Sequence, residues 1–571
     1  MLIGLALAGA VGCATGGLRR FPMREPTWQD PDRRPFRPRP ETFYSPYVWD
    51  GVENTFFRPV SEFWLLEQTT PAPNVNAMDE VPDSSWFNNR IGRRRMSPTQ
   101  VALGACADRE DPVPRPWTVV GGKPDGANPG FQIEDAEGTR YLLKTDGDLQ
   151  NERPSAADVI GAAIYWSAGY YAPCNRVVTF RRDDLELDPT AEVERTNGSV
   201  EEMTEDHIAE VLDKATSYGE GVYRASVSQF IEGRPISPWR YEGTRQDDPN
   251  DVIPHQDRRE LRGMYVFAAL TDHIDSRQEN TLAAWMSLGD DGYGFVRHYM
   301  IDFGDCFGIL YVVPELPPRF GHAGYVDLEQ ILVDFVTLGI PDRPWHHASF
   351  GPAGRELGYY DARRFDADAW RTGYPNKAFT SKAEGDAAWA ARILARFRDP
   401  HIDALAARGR WSEPVVEREL ARILKGRRDK LLDRYLTRLS PLTEPTLRTG
   451  GGGGGDDGGG PRLCMEDLAT WTDIRPRETR RYEARLFVGD RFDERGIASP
   501  TVDRDGRVCV AVPPIPEASV GAPAYLVVSV GARSTDRPGE DTGPALVHLY
   551  ATGPRTLQVV GLERPEKGPP R

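Results

Sequence analysis

The chain has 571 residues, enough for three or four domains of about 100–200 residues each, or for two domains with extensions. Apolar residues make up 39% of it, which excludes wholesale disorder. The formal net charge is −16, which argues against nucleic acid or an anionic lipid surface as the main partner.

The N-terminus carries an apolar run over residues 1–12 that ends at Cys13 and is followed by small residues. Such a run is too short for a bilayer, which needs about 20 residues, and is typical of a secretory signal. The order Ala-Val-Gly-Cys at 10–13 resembles a bacterial lipobox. The resemblance implies a signal peptide over 1–13, lipidation of Cys13 and a place in the cell envelope of a bacterium. The acyl anchor would be the protein's membrane contact.

Residues 14–115 are interpreted as an N-terminal extension rich in proline and aromatic side chains. Its first part, up to about residue 40, would be an extended tether, and residues 42–115 would wrap the main domain. Residues 116–235 are mostly strand-like. A helix is predicted at 155–168 and a second one, inside an acidic insertion, at 203–216. The strands are predicted at Trp117–Val120, Phe131–Glu134, Thr139–Lys144, 175–180 and 222–231.

The pattern turns helical from about 254 to 440 and is interrupted by one hairpin at 281–301. One helix is predicted to start after Asp327 as N-cap and to stop at Gly339, with its apolar residues on one face. Further helices are predicted at 384–397 and 414–439.

A glycine-rich linker is predicted over 446–461, because the run GGGGGDDGGG at 451–460 has no means of packing. Beyond it, short β-type runs separated by turn signals predict a small β-sandwich over 462–571. Cys464 and Cys509 both lie in this segment and are the best disulfide candidates. The remaining cysteines are either buried thiols or include a second bridge.

The residues that could carry chemistry lie in the helical region. His273–Asn280 reads HIDSRQEN, and Ile301–Asp305 reads IDFGD on the other side of the hairpin. This order of HxDxxxxN and DFG resembles the protein-kinase-like superfamily, and IDFGD is closer to its aminoglycoside-phosphotransferase-like, HipA-like and lipid-kinase-like members. The resemblance covers residues 117–440. It implies an α+β, bilobal fold with a β-rich N-lobe at 116–235 and a helical C-lobe at 236–445.

The resemblance also implies the roles of the helical lobe in moving the γ-phosphate of ATP, or of another nucleoside triphosphate, to a hydroxyl group. Asp275 would accept the proton of the attacking hydroxyl. Asn280 and Asp302 would ligate Mg²⁺ through hard oxygens.

The β-rich region would supply the groups that hold the phosphates. Lys144 ends a strand and would contact the α- and β-phosphates, and Asp158 or Glu152 would pair with it. Backbone amides of the glycine-rich loop at 121–130 would cover the phosphates. The glycines assigned to this role are Gly122, Gly126 and Gly130.

Three functions stay open at this point. The first is an exported, lipid-anchored phosphotransferase acting on a hydroxyl of a protein or small molecule. The second is a pseudokinase-like envelope lipoprotein that binds a nucleotide or another ligand without turnover. The third is an envelope scaffold. The glycines do not spell GxGxxG and no APE sequence follows the DFG, which argues against an ordinary regulated protein kinase.

Overall fold

The computed structural model describes residues 20–43, 47–64, 69–107, 113–123, 129–194, 199–310, 317–448, 460–538 and 542–565. Cys13 and Gly126 therefore lie outside the described residues. The protein is a mixed α/β structure with several sheets. Its contacts divide it into two units: Thr27–Asn76 with Glu80–Leu436, and the described residues before Thr27 with Ala77–Asp79 and those from Thr437 onward.

The larger unit holds ten strands and eleven α-helices among its described residues. The strands are β1 Trp117–Lys123, β2 Gly130–Glu134, β3 Arg140–Thr145, β4 Asn175–Arg181, β5 Leu185–Glu194, β6 Val200–Glu202, β7 Val222–Gln229, β8 Arg234–Ser237, β9 Thr281–Ser287 and β10 Gly294–Met300. The helices are α1 Tyr47–Val52, α2 Arg58–Trp64, α3 Pro98–Leu103, α4 Arg153–Ala168, α5 Glu205–Lys214, α6 Arg259–Thr271, α7 Leu328–Thr337, α8 Lys377–Thr380, α9 Glu384–Leu394, α10 Asp399–Ala407 and α11 Pro414–Leu436.

A seven-stranded sheet with the order β4-β7-β3-β2-β1-β5-β6 forms the β-rich part of this unit. β1, β2 and β3 are an antiparallel meander. Alternate side chains along these strands, including Val119, Phe131, Ile133 and Leu143, are fully buried in one cluster, as the two-residue period of a half-buried strand requires. The five strands predicted for this region are confirmed, while β5 and β6 were not predicted.

The glycine-rich segment differs from its prediction. A loop was expected over 121–130, but β1 continues to Lys123 and β2 begins at Gly130. Gly122 is paired with Phe131, and a Cβ on it would lie 2.9 Å from a methyl carbon of Val193. Gly122 therefore lies in a strand, where it allows close packing, and not in the loop that was expected.

The helical part follows the prediction closely. β9 and β10 form the expected hairpin, with β8 beside β9. α9 ends at Leu394, three residues before the predicted end, and α10 follows it separately. α6 is buried along its whole length. A Cβ on Gly263 would lie 2.9 Å from the Trp389 ring of α9, so this glycine lets the two helices approach closely.

Helix α7 begins as predicted, because the Asp327 carboxylate accepts the N–H of Gln330 at 3.0 Å. Its apolar face is not covered by the described residues: Ile331 is 53% exposed and Phe335 80%. The helical spacing of the apolar residues thus predicted that α7 forms, but not which residues pack against its apolar face. In the described part of the chain, no helix combines the length and the apolar character needed to cross a membrane.

The smaller unit is built mainly of antiparallel strands. Its elements are β11 Leu442–Arg448, β12 Arg462–Asp467, α12 Leu468–Trp471, β13 Arg480–Val488, β14 Asp493–Arg495, β15 Thr501–Val502, β16 Val508–Ala511, β17 Ala524–Ser534, β18 Ala545–Gly553 and β19 Thr556–Glu563. The strands form two sheets with the orders β11-β12-β16-β15 and β14-β13-β17-β18-β19. Side chains from both sheets, such as Leu463 and Val528, share one apolar cluster.

Two disulfides close loops in the two units. Cys464 and Cys509 face each other on β12 and β16 and are bonded, as predicted. Cys106 and Cys174 form a second bridge, and Cys306 is a buried free thiol. The alternative with a second bridge among the remaining cysteines is therefore the one observed.

We expect the double variant Cys106→Ala/Cys174→Ala to lower the free energy of unfolding of the larger unit by about 2–4 kcal/mol. The bridge joins positions 68 residues apart and so restricts the unfolded chain. Denaturant unfolding of oxidised protein measures the change. Cys464→Ala/Cys509→Ala is the matched control and should weaken the smaller unit instead. An unchanged unfolding midpoint of the larger unit in the first variant would contradict the assignment.

Candidate active site

The centre of the candidate site is an ion pair between the sheet and the loop after the hairpin. Lys144 lies near the end of β3, and Asp302 follows β10 by two residues. The Nζ of Lys144 is 2.8 Å from Oδ1 of Asp302. The lysine side chain is 9% exposed and the aspartate side chain 39%. The lysine is thus enclosed, while the carboxylate remains accessible to a small ligand.

This pair determines the ionisation of both groups. Burial opposes the charge of Lys144, but Asp302 and then Asp158 outweigh it and raise the pKa of Lys144. Burial also opposes the charge of Asp302, but Lys144 and then Lys123 pull the pKa of that carboxyl well below its usual range. Both groups are therefore charged at neutral pH.

Asp158 lies on α4, as the sequence predicted, but it does not form the expected ion pair. Its Oδ1 accepts the backbone N–H of Phe303 at 3.0 Å, and its Oδ2 accepts the hydroxyl of Ser226 at 2.9 Å. Ser226 is the cross-strand neighbour of Lys144. Asp158 therefore anchors the loop that carries Asp302, and it acts on Lys144 only through its charge.

Glu152, the alternative partner of Lys144, also points elsewhere. Its carboxylate accepts the N–H of Ser412 at 2.9 Å and lies 3.5 Å from Arg224. The next residue, Arg153, donates to the carbonyls of Gly304 at 2.5 Å and Cys306 at 2.9 Å. The start of α4 thus holds the loop that contains Asp302, Phe303 and Gly304 through Arg153. The interpretation of Glu152 as the partner of Lys144 is wrong, because its carboxylate is engaged with Ser412 and Arg224.

Packing of the Phe303 side chain also fixes this loop. Phe303 is fully buried and contacts the rings of Tyr165 and His273. A Cβ on Gly161 would lie 2.6 Å from the Cβ of Phe303, so glycine is required at this point of α4. Burial lowers the pKa of His273 to about 4, which leaves a neutral ring at pH 7. His273 is therefore part of the packing and not an acid–base group.

Asp275 and Asn280 are joined directly. The side-chain amide of Asn280 donates to Oδ2 of Asp275 at 2.9 Å and to the Asp275 carbonyl at 2.7 Å. Because both contacts need the nitrogen as donor, they fix the orientation of the amide and turn its oxygen away from Asp275. Arg277 Nε lies 2.9 Å from Oδ1 of Asp275 and supplies positive charge beside it.

A third carboxyl group, that of Asp305, lies near the carboxyl groups of Asp275 and Asp302. Burial, followed by repulsion from Asp275 and Asp302, raises the pKa of Asp305 to about 7. Three carboxyl groups therefore meet where the two motifs approach each other. Such an arrangement is unfavourable unless cations or protons balance it.

The oxygen atoms of this site suit a hard divalent cation. The half-exposed carboxylate of Asp302 and the amide oxygen of Asn280 are the donor types that Mg²⁺ prefers. Their setting, with a lysine on one side and a carboxylate held by an amide on the other, can bind charged phosphate and accept a proton.

Sequence reasoning missed Lys123 as a residue of this site. It ends β1, and its charge acts on both Lys144 and Asp302. Burial and then repulsion from Lys144 lower the pKa of Lys123. The register of β1 against β2 could have revealed it, but that register depends on a turn whose length the sequence does not define.

No protein-family model matches the chain, and no curated protein matches it. Among solved structures, the Helicobacter pylori proinflammatory kinase CtkA is similar at 11% identity over 55% of this chain and 93% of that chain, with a TM-score of 0.26. The Golgi casein kinase is similar at 8% identity over 57% and 76%, with a TM-score of 0.26. Its structure with Mn/ADP bound is similar at 12% over 56% and 74%, with a TM-score of 0.22. Because these scores lie below 0.5, we base the assignment of function on the geometry of the site.

The two roles considered for Asp158 give different results on mutation. As a backbone anchor, Asp158→Asn keeps an acceptor for the Phe303 N–H and should unfold close to wild type. Asp158→Ala leaves that buried N–H unpaired and should cost about 1–3 kcal/mol. Denaturant unfolding of both variants measures this difference. Equal losses of unfolding free energy in the two variants would indicate that the negative charge of Asp158, and not its hydrogen bond to the Phe303 N–H, stabilises the fold.

Proposed function

We propose that the protein is a Mg²⁺-dependent phosphotransferase of the protein-kinase-like superfamily, which moves the γ-phosphate of a nucleoside triphosphate such as ATP to a hydroxyl group. The observation that carries the proposal is the 2.8 Å ion pair between Lys144 at the end of β3 and Asp302 of the DFG sequence. It supports a bilobal, kinase-like layout of the larger unit. The two sheets of the smaller unit, with their shared cluster, support a C-terminal β-sandwich.

Each residue has a defined task in this proposal. Lys144 binds the inner phosphates, and Asp302 and Asn280 are the oxygen ligands of Mg²⁺, which would neutralise charge on the phosphate groups. Asp275 accepts the proton of the attacking hydroxyl. Asn280 orients that carboxylate by donating to it at 2.9 Å.

We propose in addition that the protein is exported and anchored to the bacterial envelope through lipidated Cys13. The two disulfides support an oxidising compartment, because such bonds persist mainly outside the cytosol. The acceptor would then be a hydroxyl of a protein or small molecule of that compartment, and nucleic acid is disfavoured by the net charge of −16.

Nucleotide binding without turnover is the second candidate, and one observation favours it. Asp158 on α4 is engaged with Phe303 and Ser226, so the role of an acidic partner for Lys144 falls to Asp302 itself. A lysine held by the metal ligand is compatible with binding even where transfer does not occur.

We expect Mg²⁺ with ATP to raise the melting temperature of the full chain and Asp302→Asn to abolish that rise, because the variant loses both a ligand charge and the partner of Lys144. Thermal unfolding with and without Mg²⁺·ATP measures this. Asp291→Asn, an exposed acid in the β9–β10 hairpin, is the matched control and should behave as wild type. Equal stabilisation of wild type and Asp302→Asn would refute the metal–nucleotide site.

We expect Asp275→Asn to keep nucleotide binding and to lose phosphate transfer by about 10²–10⁴-fold, the usual contribution of a general base. Labelling of the protein itself and of added acceptors with γ-labelled ATP measures transfer. Bound nucleotide without transfer or hydrolysis in the wild type would select the binding function and reject the enzymatic one.

A further inference from the structure

A second lysine lies beside Lys144 across a single glycine. Lys123 at the end of β1 is paired with Gly130 on β2, and Gly130 is paired with Lys144 on β3. The three residues thus occupy one transverse row of an antiparallel sheet. Adjacent strands are about 4.8 Å apart, so the two lysine backbones are separated by about 10 Å. Two lysine side chains can reach across such a gap to one ligand.

The glycine between them is required by the structure. A Cβ on Gly130 would lie 1.8 Å from the carbonyl oxygen of Leu143, which no side chain can tolerate. As a result, the centre of the row carries no side chain.

The two lysines differ in their ionic partners. The Nζ of Lys144 lies 2.8 Å from Oδ1 of Asp302. Within the described residues, no carboxylate oxygen lies within 4 Å of the Lys123 ammonium. Lys123 is largely enclosed, and an enclosed charge without a close partner is unfavourable. Lys123 therefore carries a charge that a bound anion would neutralise.

We propose that Lys123 and Lys144 form a two-lysine clamp for a polyphosphate chain, in which Lys144 binds the inner phosphates and Lys123 binds the terminal phosphate. This inference rests on the proposed function, because that function assigns the inner phosphates to Lys144. It adds Lys123 as a residue that positions the terminal phosphate. It also predicts that the protein prefers nucleoside triphosphates over diphosphates.

The test compares triphosphate and diphosphate binding to the full chain. Calorimetry gives the dissociation constants of Mg²⁺·ATP and Mg²⁺·ADP for wild type, Lys123→Gln and Lys123→Arg. Lys123→Gln should weaken ATP binding by about 10- to 100-fold, the effect of losing one hydrogen bond to a charged group, and ADP binding much less. Lys123→Arg should restore most of the preference for ATP.

Folding is monitored separately. Lys123→Gln removes a charge repelled by Lys144, so its melting temperature without ligand should equal or exceed that of wild type. Lys214→Gln, at an exposed lysine of α5 that pairs with Glu210, is the matched control and should leave both affinities unchanged.

The outcomes separate this inference from the proposed function. Unchanged ATP affinity in Lys123→Gln, or equal losses for ATP and ADP, would overturn the clamp while nucleotide binding stands. Inorganic tripolyphosphate and pyrophosphate serve as probes without a nucleoside. If wild type binds tripolyphosphate more tightly than pyrophosphate, and loses that preference in Lys123→Gln, but does not bind ATP, the clamp stands and the nucleotide function fails. Binding of none of these probes overturns both.

Discussion

The arrangement of the candidate site depends on one constraint: a lysine that is 9% exposed must have a negative charge next to it. Asp302 provides that charge from a different part of the chain, and it does so in a left-handed backbone conformation with φ of 56°. A non-glycine residue rarely adopts this conformation unless its surroundings hold it there. The ion pair therefore exists only because the loop on both sides of Asp302 is fixed.

Helix α4 is the element that fixes it. Asp158 accepts the N–H of Phe303, Arg153 donates to two carbonyls of the loop, and Gly161 makes room for the Phe303 side chain. These contacts differ in kind, but each of them would be lost if α4 moved relative to the loop. The helix that the sequence suggested as a source of an acid for Lys144 thus acts on the other member of the pair. It positions Asp302, and Asp302 in turn positions Lys144.

Local patterns in the sequence were sufficient to predict the strands and helices around the site, since alternation and the 3.6-residue period reflect burial directly. Lys144 and Asp302, which the structure brings together, were singled out by the resemblance of the motif order to a known superfamily and not by these periods. Neither signal predicted what Asp158 contacts, because a carboxylate on a helix has several partners within reach and only tertiary packing selects one. Lys123 was missed for a related reason: its place beside Lys144 follows from strand register, which is not a local property. The exposed face of α7 shows the same limit, because an apolar period does not specify what the face packs against.

The charges gathered at this site conflict with one another in the absence of a ligand. Burial and then repulsion from Asp275 and Asp302 raise the pKa of Asp305, and among the described residues Lys123 lacks the close carboxylate partner that Lys144 has in Asp302. A protein selected for stability alone would gain by replacing some of these groups with apolar residues of similar volume. Groups that destabilise one another in this way are expected where function and not folding determines the sequence. A divalent cation would relieve the repulsion among the carboxylates and a polyphosphate would relieve that between the lysines, so the two conflicts are complementary. This complementarity favours a ligand that carries both, a metal-bound nucleoside triphosphate, over either component alone.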